Sequence, residues 1–144
     1  MEKYFESKVR FVERTESGKE RKITITFLVL AEGIAEAQRG TEIEAIKCQF
    51  DVFEILSVKQ SNITYVIPSS DDNVRYVVVK MQGVIVDEES GKEKKVTDYW
   101  LVISDDIVRA VNEAKAQITG GIMEVTGAGF RDFYDLLVYL PELT

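Results

Sequence analysis

Hydrophobic and polar positions along this chain trace the same course twice. Tyr4 to Arg14 and Arg75 to Asp87 read as extended segments. The second holds Tyr76, Val77, Val78, Val79, Met81, Val84, Ile85 and Val86, and such β-branched richness favours strand. Turns follow at Ser17-Gly18 and Ser90-Gly91, where glycine supplies the positive φ that tight hairpins need. Second strands are predicted from Arg21 to Leu30 and from Lys94 to Ile103. The period then changes. Ser104 followed by Asp105 and Asp106 predicts a helix N-cap with acids in the first turn, and Ile107, Ala110, Val111, Ala114 and Ile118 form one apolar face. That helix is expected to stop near Gly120-Gly121. The earlier helix, about Glu32 to Lys47, presents Ile34, Ala37, Thr41 and Ala45, with Gly40 as a weak point inside it. Strands follow at Phe50 to Lys59 and Ile122 to Gly127, then at Ile63 to Ile67 and Leu136 to Leu140. Phe130, Phe133, Tyr134 and Leu137 have helical spacing, but the repeat argues for strand over 130–138.

The repeat is visible residue by residue. Positions 16–24, Glu-Ser-Gly-Lys-Glu-Arg-Lys-Ile-Thr, match 89–97, Glu-Ser-Gly-Lys-Glu-Lys-Lys-Val-Thr, at seven of nine places, an offset of 73 (89 − 16). Phe27-Leu28-Val29-Leu30 lies over Trp100-Leu101-Val102-Ile103, Ile34 over Ile107, and Ala37 over Ala110. The register slips by three residues, so that Glu54-Ile55 meets Glu124-Val125, and recovers where Ile67-Pro68 meets Leu140-Pro141. These matches predict an α+β fold of two tandem β-β-α-β repeats, 3–70 and 75–141, joined by a turn-rich connector at 69–74. One such unit buries little surface alone. The expectation is therefore one two-layer, pseudo-two-fold domain over 1–144, with a mainly antiparallel joined sheet and both helices on one face.

The opening Tyr4-Phe5-Glu6-Ser7-Lys8-Val9-Arg10-Phe11 resembles an aromatic-Phe-Glu-Cys-Lys-Val-Arg-Tyr signature of a domain-of-unknown-function family, small proteins of gut Bacteroidetes and their phages. Lys22-Ile23-Thr24, Phe27-Leu28-Val29, the Glu36-Ala37 helix start and the block from Glu88 to Lys95 fit the same pattern. The resemblance covers most of the chain and implies a habitat and a size. It implies no activity, and Ser7 stands where the signature has cysteine.

Composition narrows the chemistry. The chain has no histidine and one cysteine, Cys48. Ser-His-Asp and Cys-His catalysis, imidazole metal sites and an intrachain disulfide are thereby excluded. Cys48, beside Ile46, Phe50 and Val52, reads as a small buried hydrophobe. Gly18-Lys19 and Gly91-Lys92 lack the upstream glycine of a P-loop, and Gly127-Ala128-Gly129 lacks a third glycine at dinucleotide-binding spacing. The acidic pairs Asp71-Asp72 and Asp105-Asp106 and the run Asp87-Glu88-Glu89 read as turns and caps, and Phe27 and Trp100 as core. No cofactor, metal or catalytic residue is expected, and the chain is not expected to be an enzyme.

Net charge is −7, which gives no general attraction for nucleic acid or anionic lipid. Both hairpin tips are nonetheless basic: Lys19, Arg21 and Lys22 in one, Lys92, Lys94 and Lys95 in the other, interleaved with glutamates. The opening residues lack a signal peptide's apolar core and no apolar run reaches membrane-spanning length, so a cytoplasmic setting without a membrane is expected. The leading expectation is a non-catalytic binding or assembly module acting through a protein partner or self-association. The alternative is a nucleic-acid-associated protein gripping phosphates with the six basic tip residues.

Overall fold

The computed structural model describes residues 1–68, 75–118 and 123–139. The element order is β1 (Lys3–Arg14), β2 (Glu20–Ala31), α1 (Ile34–Lys47), β3 (Asp51–Gln60), β4 (Ile63–Ile67), β5 (Tyr76–Val86), β6 (Glu93–Ile103), α2 (Ile107–Gln117), β7 (Met123–Arg131) and β8 (Asp135–Val138). This is the expected α+β fold, with the β-β-α-β order repeated. Residues 135–138 are strand, as the repeat argued. The connector at 69–74, the stop at Gly120-Gly121 and the Leu140-Pro141 match lie outside the described residues.

The strands form two four-stranded sheets, not the single joined sheet expected. Their orders are β3-β1-β2-β8 and β4-β6-β5-β7. The chain divides accordingly into two compact units, Met1–Ser61 with the segment from Phe133 onward, and Asn62–Asp132. These bounds cut across the repeats. The edge beside β2 is filled by β8, from the second repeat, and the edge beside β6 by β4, from the first; both pairings are parallel. All other strand pairs are antiparallel. Leu136 lies opposite Leu28 and Val66 opposite Leu101, so the two exchanged strands take the same place. By that pairing Ile67, opposite Val102, corresponds to Leu137, opposite Val29, rather than to Leu140.

In the first unit α1 lies on one face of its sheet. Phe5, Val9, Phe27, Val29, Ala31, Ala37 and Tyr139 form the core, from alternate positions of β1 and β2 and the inner stripe of the helix. In the second, Ile67, Val77, Val79, Met81, Val102, Ala110 and Ala114 do the same beneath α2. Leu28 and Leu101 are fully buried on the opposite face of their strands. The three-residue slip is a helix turn: α1 has 14 residues and α2 has 11, close to one turn of 3.6 residues. Both units also carry a β-bulge at one place, between Lys8 and Val9 against β3 and between Lys80 and Met81 against β7.

The N-cap of α2 is Asp106, not Ser104. The Asp106 carboxylate accepts from the Val108 and Arg109 amides at 2.8 and 3.2 Å, while Ser104 Oγ accepts from the Asp106 amide at 3.2 Å and so braces the cap from outside. Asp105 instead lies 3.8 Å from Arg109.

Candidate functional site

Each basic tip is a β-hairpin end. The first turn closes with Gly18 at φ 80°, the second with Gly91 at φ 67°. Arg21 is spent on Glu13 at 2.8 Å, and Glu20 lies 3.8 Å from Arg14. Lys22 follows Arg21 on the same strand, as Lys95 follows Lys94, so each pair points to opposite sheet faces. Neither Arg21 and Lys22 nor Lys94 and Lys95 therefore share a sheet face. In the second tip the Glu89 amide, and then the Ser90 hydroxyl, hold the Asp87 carboxyl below its usual range, which keeps an anion at the turn. The two tips belong to different units, so the paired grip expected of them has no geometry within either.

A different site emerges in the first unit. A groove of about 530 Å³ is lined by Phe11 to Arg14 of β1, Ile23 and Ile25 of β2, the exit of α1 from Cys48 to Asp51, and Tyr134. Phe11 and Phe50 stack with ring centres 3.9 Å apart. The Tyr134 ring meets Phe27 and Phe50 edge-on at 5.5 and 5.8 Å, a favourable arrangement for aromatic quadrupoles. Tyr134 remains 53% exposed, so its outer edge faces solvent. Its amide donates to the Thr26 carbonyl at 2.8 Å, which fixes it one residue ahead of β8.

The backbone under this groove is strained. Gln49 has φ 56° and Val52 has φ 48°; for a β-branched residue that is an outlier costing about 1–3 kcal/mol. The turn they make follows the helical turn that α1 has and α2 lacks. Cys48 Sγ donates to Glu44 Oε1 at 3.7 Å. Partial burial first, and then the Glu44 carboxylate, push the thiol above its ordinary pKa, so at neutral pH it is a neutral thiol and a poor nucleophile.

The second unit builds the same place differently. Ile25 is matched by Asp98, Phe27 by Trp100, Phe11 by Gly83 and Tyr134 by Thr64. The Asp98 carboxylate accepts from Trp100 Nε1 at 3.1 Å, from its neighbour's amide, Tyr99 N, at 2.9 Å, and from the Thr64 hydroxyl. At these matched positions the second unit carries a polar knot centred on Asp98, where the first carries apolar and aromatic side chains. Trp100 is half-buried over the core of its unit and Phe27 is fully buried, so neither is a free stacking platform.

A family model described as a domain of unknown function, DUF4494, matches residues 3–129. The chain belongs to that family. The matched span includes both hairpins, both helices and the groove residues of β1, β2 and the α1 exit; Tyr134 and β8 lie beyond it. No curated protein and no solved structure matches the chain. Ser7 is fully buried and 2.9 Å from Thr41 Oγ1, beneath α1. Among the described residues no three Cys, Asp or Glu side chains gather to hold a metal, and no helix is long and apolar enough to cross a membrane.

Sequence reasoning did not find the groove. Phe50 and Cys48 were visible as apolar neighbours, but Tyr134 arrives from the far end of the chain. The three-residue slip was the one trace of it in the sequence; the match of Phe11 with Gly83 appears only in the strand register.

Proposed function

We propose that this protein is a non-catalytic binding or assembly module acting through protein–protein contact, with the aromatic groove of the first unit as the seat of the partner. The observation that carries this reading is the divergence of one site between two units of equal topology. Among the described residues, Phe11, Ile25 and Tyr134 of the first unit are matched in the second by Gly83, Asp98 and Thr64, so this apolar lining is not a requirement of the shared topology. A recess walled by Ile25, Phe50 and the half-exposed Tyr134, and edged by Glu13, Arg14 and Asp51, suits an apolar side chain presented by a protein with polar flanks. Aromatic anchors surrounded by a polar rim are the usual anatomy of such contacts. The protonated Cys48 thiol supports binding over covalent chemistry there. The alternative, nucleic-acid binding through Lys19, Arg21, Lys22, Lys92, Lys94 and Lys95, draws less support because the adjacent strand cations alternate between sheet faces and Arg21 is already paired with Glu13.

The setting we propose is cytoplasmic, on the strength of a single free cysteine in the chain. The gut Bacteroidetes and phage origin rests on the sequence resemblance alone. The common element order, the shared bulge and the nine-residue match support an origin by internal duplication.

A photo-cross-linking phenylalanine analogue at position 134 tests the groove, with one at the comparably exposed Tyr65 as control. The expected result is a discrete protein adduct from position 134 that Tyr65 does not give. Absence of any adduct, or equal adducts at both positions, overturns the reading. Salt-sensitive DNA or RNA binding that disappears when the six basic residues become alanine would transfer function to the tips.

A further inference from the structure

The structure assigns a second binding surface, the edge of β2, to a second copy of this chain: we propose that it is a strand acceptor able to take β8 from another molecule. The reasoning starts from what fills the slot. Within one chain the same slot occurs twice, beside β2 and beside β6, and each time the strand in it comes from the other repeat. The slot is specific in register, since Leu28 and Leu101 face Leu136 and Val66 in the same parallel arrangement. It is not specific for a strand of its own repeat.

The two occupants differ in how they are held. β4 runs into the unit it completes, whose chain is continuous from Asn62 to Asp132. β8 returns to the first unit after that whole unit has intervened. It has four residues, Asp135–Val138, and sits at a sheet edge with Val138 53% exposed. Only Asp132, Phe133 and Tyr134 separate it from β7, and short hinges favour exchange between copies. Exchanged and closed forms share every strand contact, so their balance is set by the hinge and by concentration. The tether gives the chain's own β8 an effective concentration on the order of millimolar. The closed monomer therefore prevails in dilute solution. Refolding at comparable chain concentration yields a reciprocal dimer in which each β8 lies on the other's β2.

The test uses the full chain in a Cys48→Ser background. Leu30 and Val138 are register partners, and neighbouring strands hold residues at a separation a disulfide accepts. A chain carrying both Leu30→Cys and Val138→Cys is the positive control and should cross-link within itself. Two chains, one with Leu30→Cys and one with Val138→Cys, are unfolded, mixed, refolded at millimolar concentration and oxidised. The expected product is a 30–138 interchain disulfide, separated from 30–30 and 138–138 links by peptide mass spectrometry. Light scattering should show the unmodified chain refolding as a dimer under the same conditions and as a monomer at micromolar concentration. The proposal is overturned if the double variant closes within itself while the mixture gives no 30–138 link. It is equally overturned if the double variant fails to close, because the strand is then not in the slot.

Discussion

Ser7 and Thr41 bring two hydroxyls into the core beneath α1. Thr41 Oγ1 lies 2.9 Å from Ser7 Oγ and 2.8 Å from the Ala37 carbonyl, so the three groups satisfy one another away from water. In the second unit the same two places are Val79 and Ala114, both fully buried. The energetics of buried polar groups make the contrast testable. Thr41→Val removes the hydroxyl that Ser7 meets among the described residues and should cost about 1–3 kcal/mol, because an orphaned buried hydroxyl is worse than none. The double change Ser7→Val, Thr41→Ala copies the apolar pair and should cost less than the single one; urea midpoints measure both. Cys48 offers a second check. Its raised pKa means the folded state holds the thiol proton more tightly than the unfolded chain. Any stability tied to that proton is complete at neutral pH and is lost only as pH climbs past the ordinary thiol range. Alkylation at pH 8 should accordingly be slower for the native chain than for the urea-unfolded one.

At the scale of elements, sequence pattern located nearly every strand and both helices, because alternation and helical spacing are local properties. The hairpins were the clearest, each marked by a glycine that takes positive φ. The N-cap was displaced by two residues because Ser104 and Asp106 both have capping side chains, and only backbone geometry decides which one meets the free amides. The slip between repeats was visible, but its cause, one extra turn on α1, was not. Gly40 reads as a defect in sequence. In the fold it faces Tyr139 and Val29, and a Cβ there would lie 3.4 Å from Tyr139 Cβ and 3.7 Å from Val29 Cγ1, ordinary packing distances. Gly40→Ala should therefore raise stability by about 0.5–1 kcal/mol through helix propensity, seen as a higher melting temperature. A fall would mean that the contact with Tyr139 leaves no room for a methyl group.

The whole molecule is where sequence reading stopped short. Periodicity reveals that a segment is extended, not which strand it joins, and parallel pairing between distant segments leaves no local mark. The expected joined sheet followed from assuming that each repeat keeps its own strands. The candidate groove was illegible for the same reason, since Tyr134 reaches Phe50 only through the returning segment. Ending the chain after Asp132 should therefore separate the two units by experiment. The second unit keeps all of its strands, so its amides should stay protected from hydrogen exchange and the emission of Trp100 should stay native. In the first unit the loss of β8 and Tyr139 uncovers Leu28 and Phe27, and protection across β1, β2 and β3 should fall toward that of an unfolded chain. Equal loss in both units would refute this division of labour.

The discontinuity of the first unit also has a consequence for synthesis. Domains made on the ribosome ordinarily fold in the order in which they emerge. Here the opening hairpin and α1 are made first, yet the edge of β2 has no partner until residues 135–138 have been translated. The continuous stretch from Asn62 to Asp132 is complete before that. The half of the protein that is born first is the last to be finished, and until then it exposes an unpaired strand to every neighbouring nascent chain.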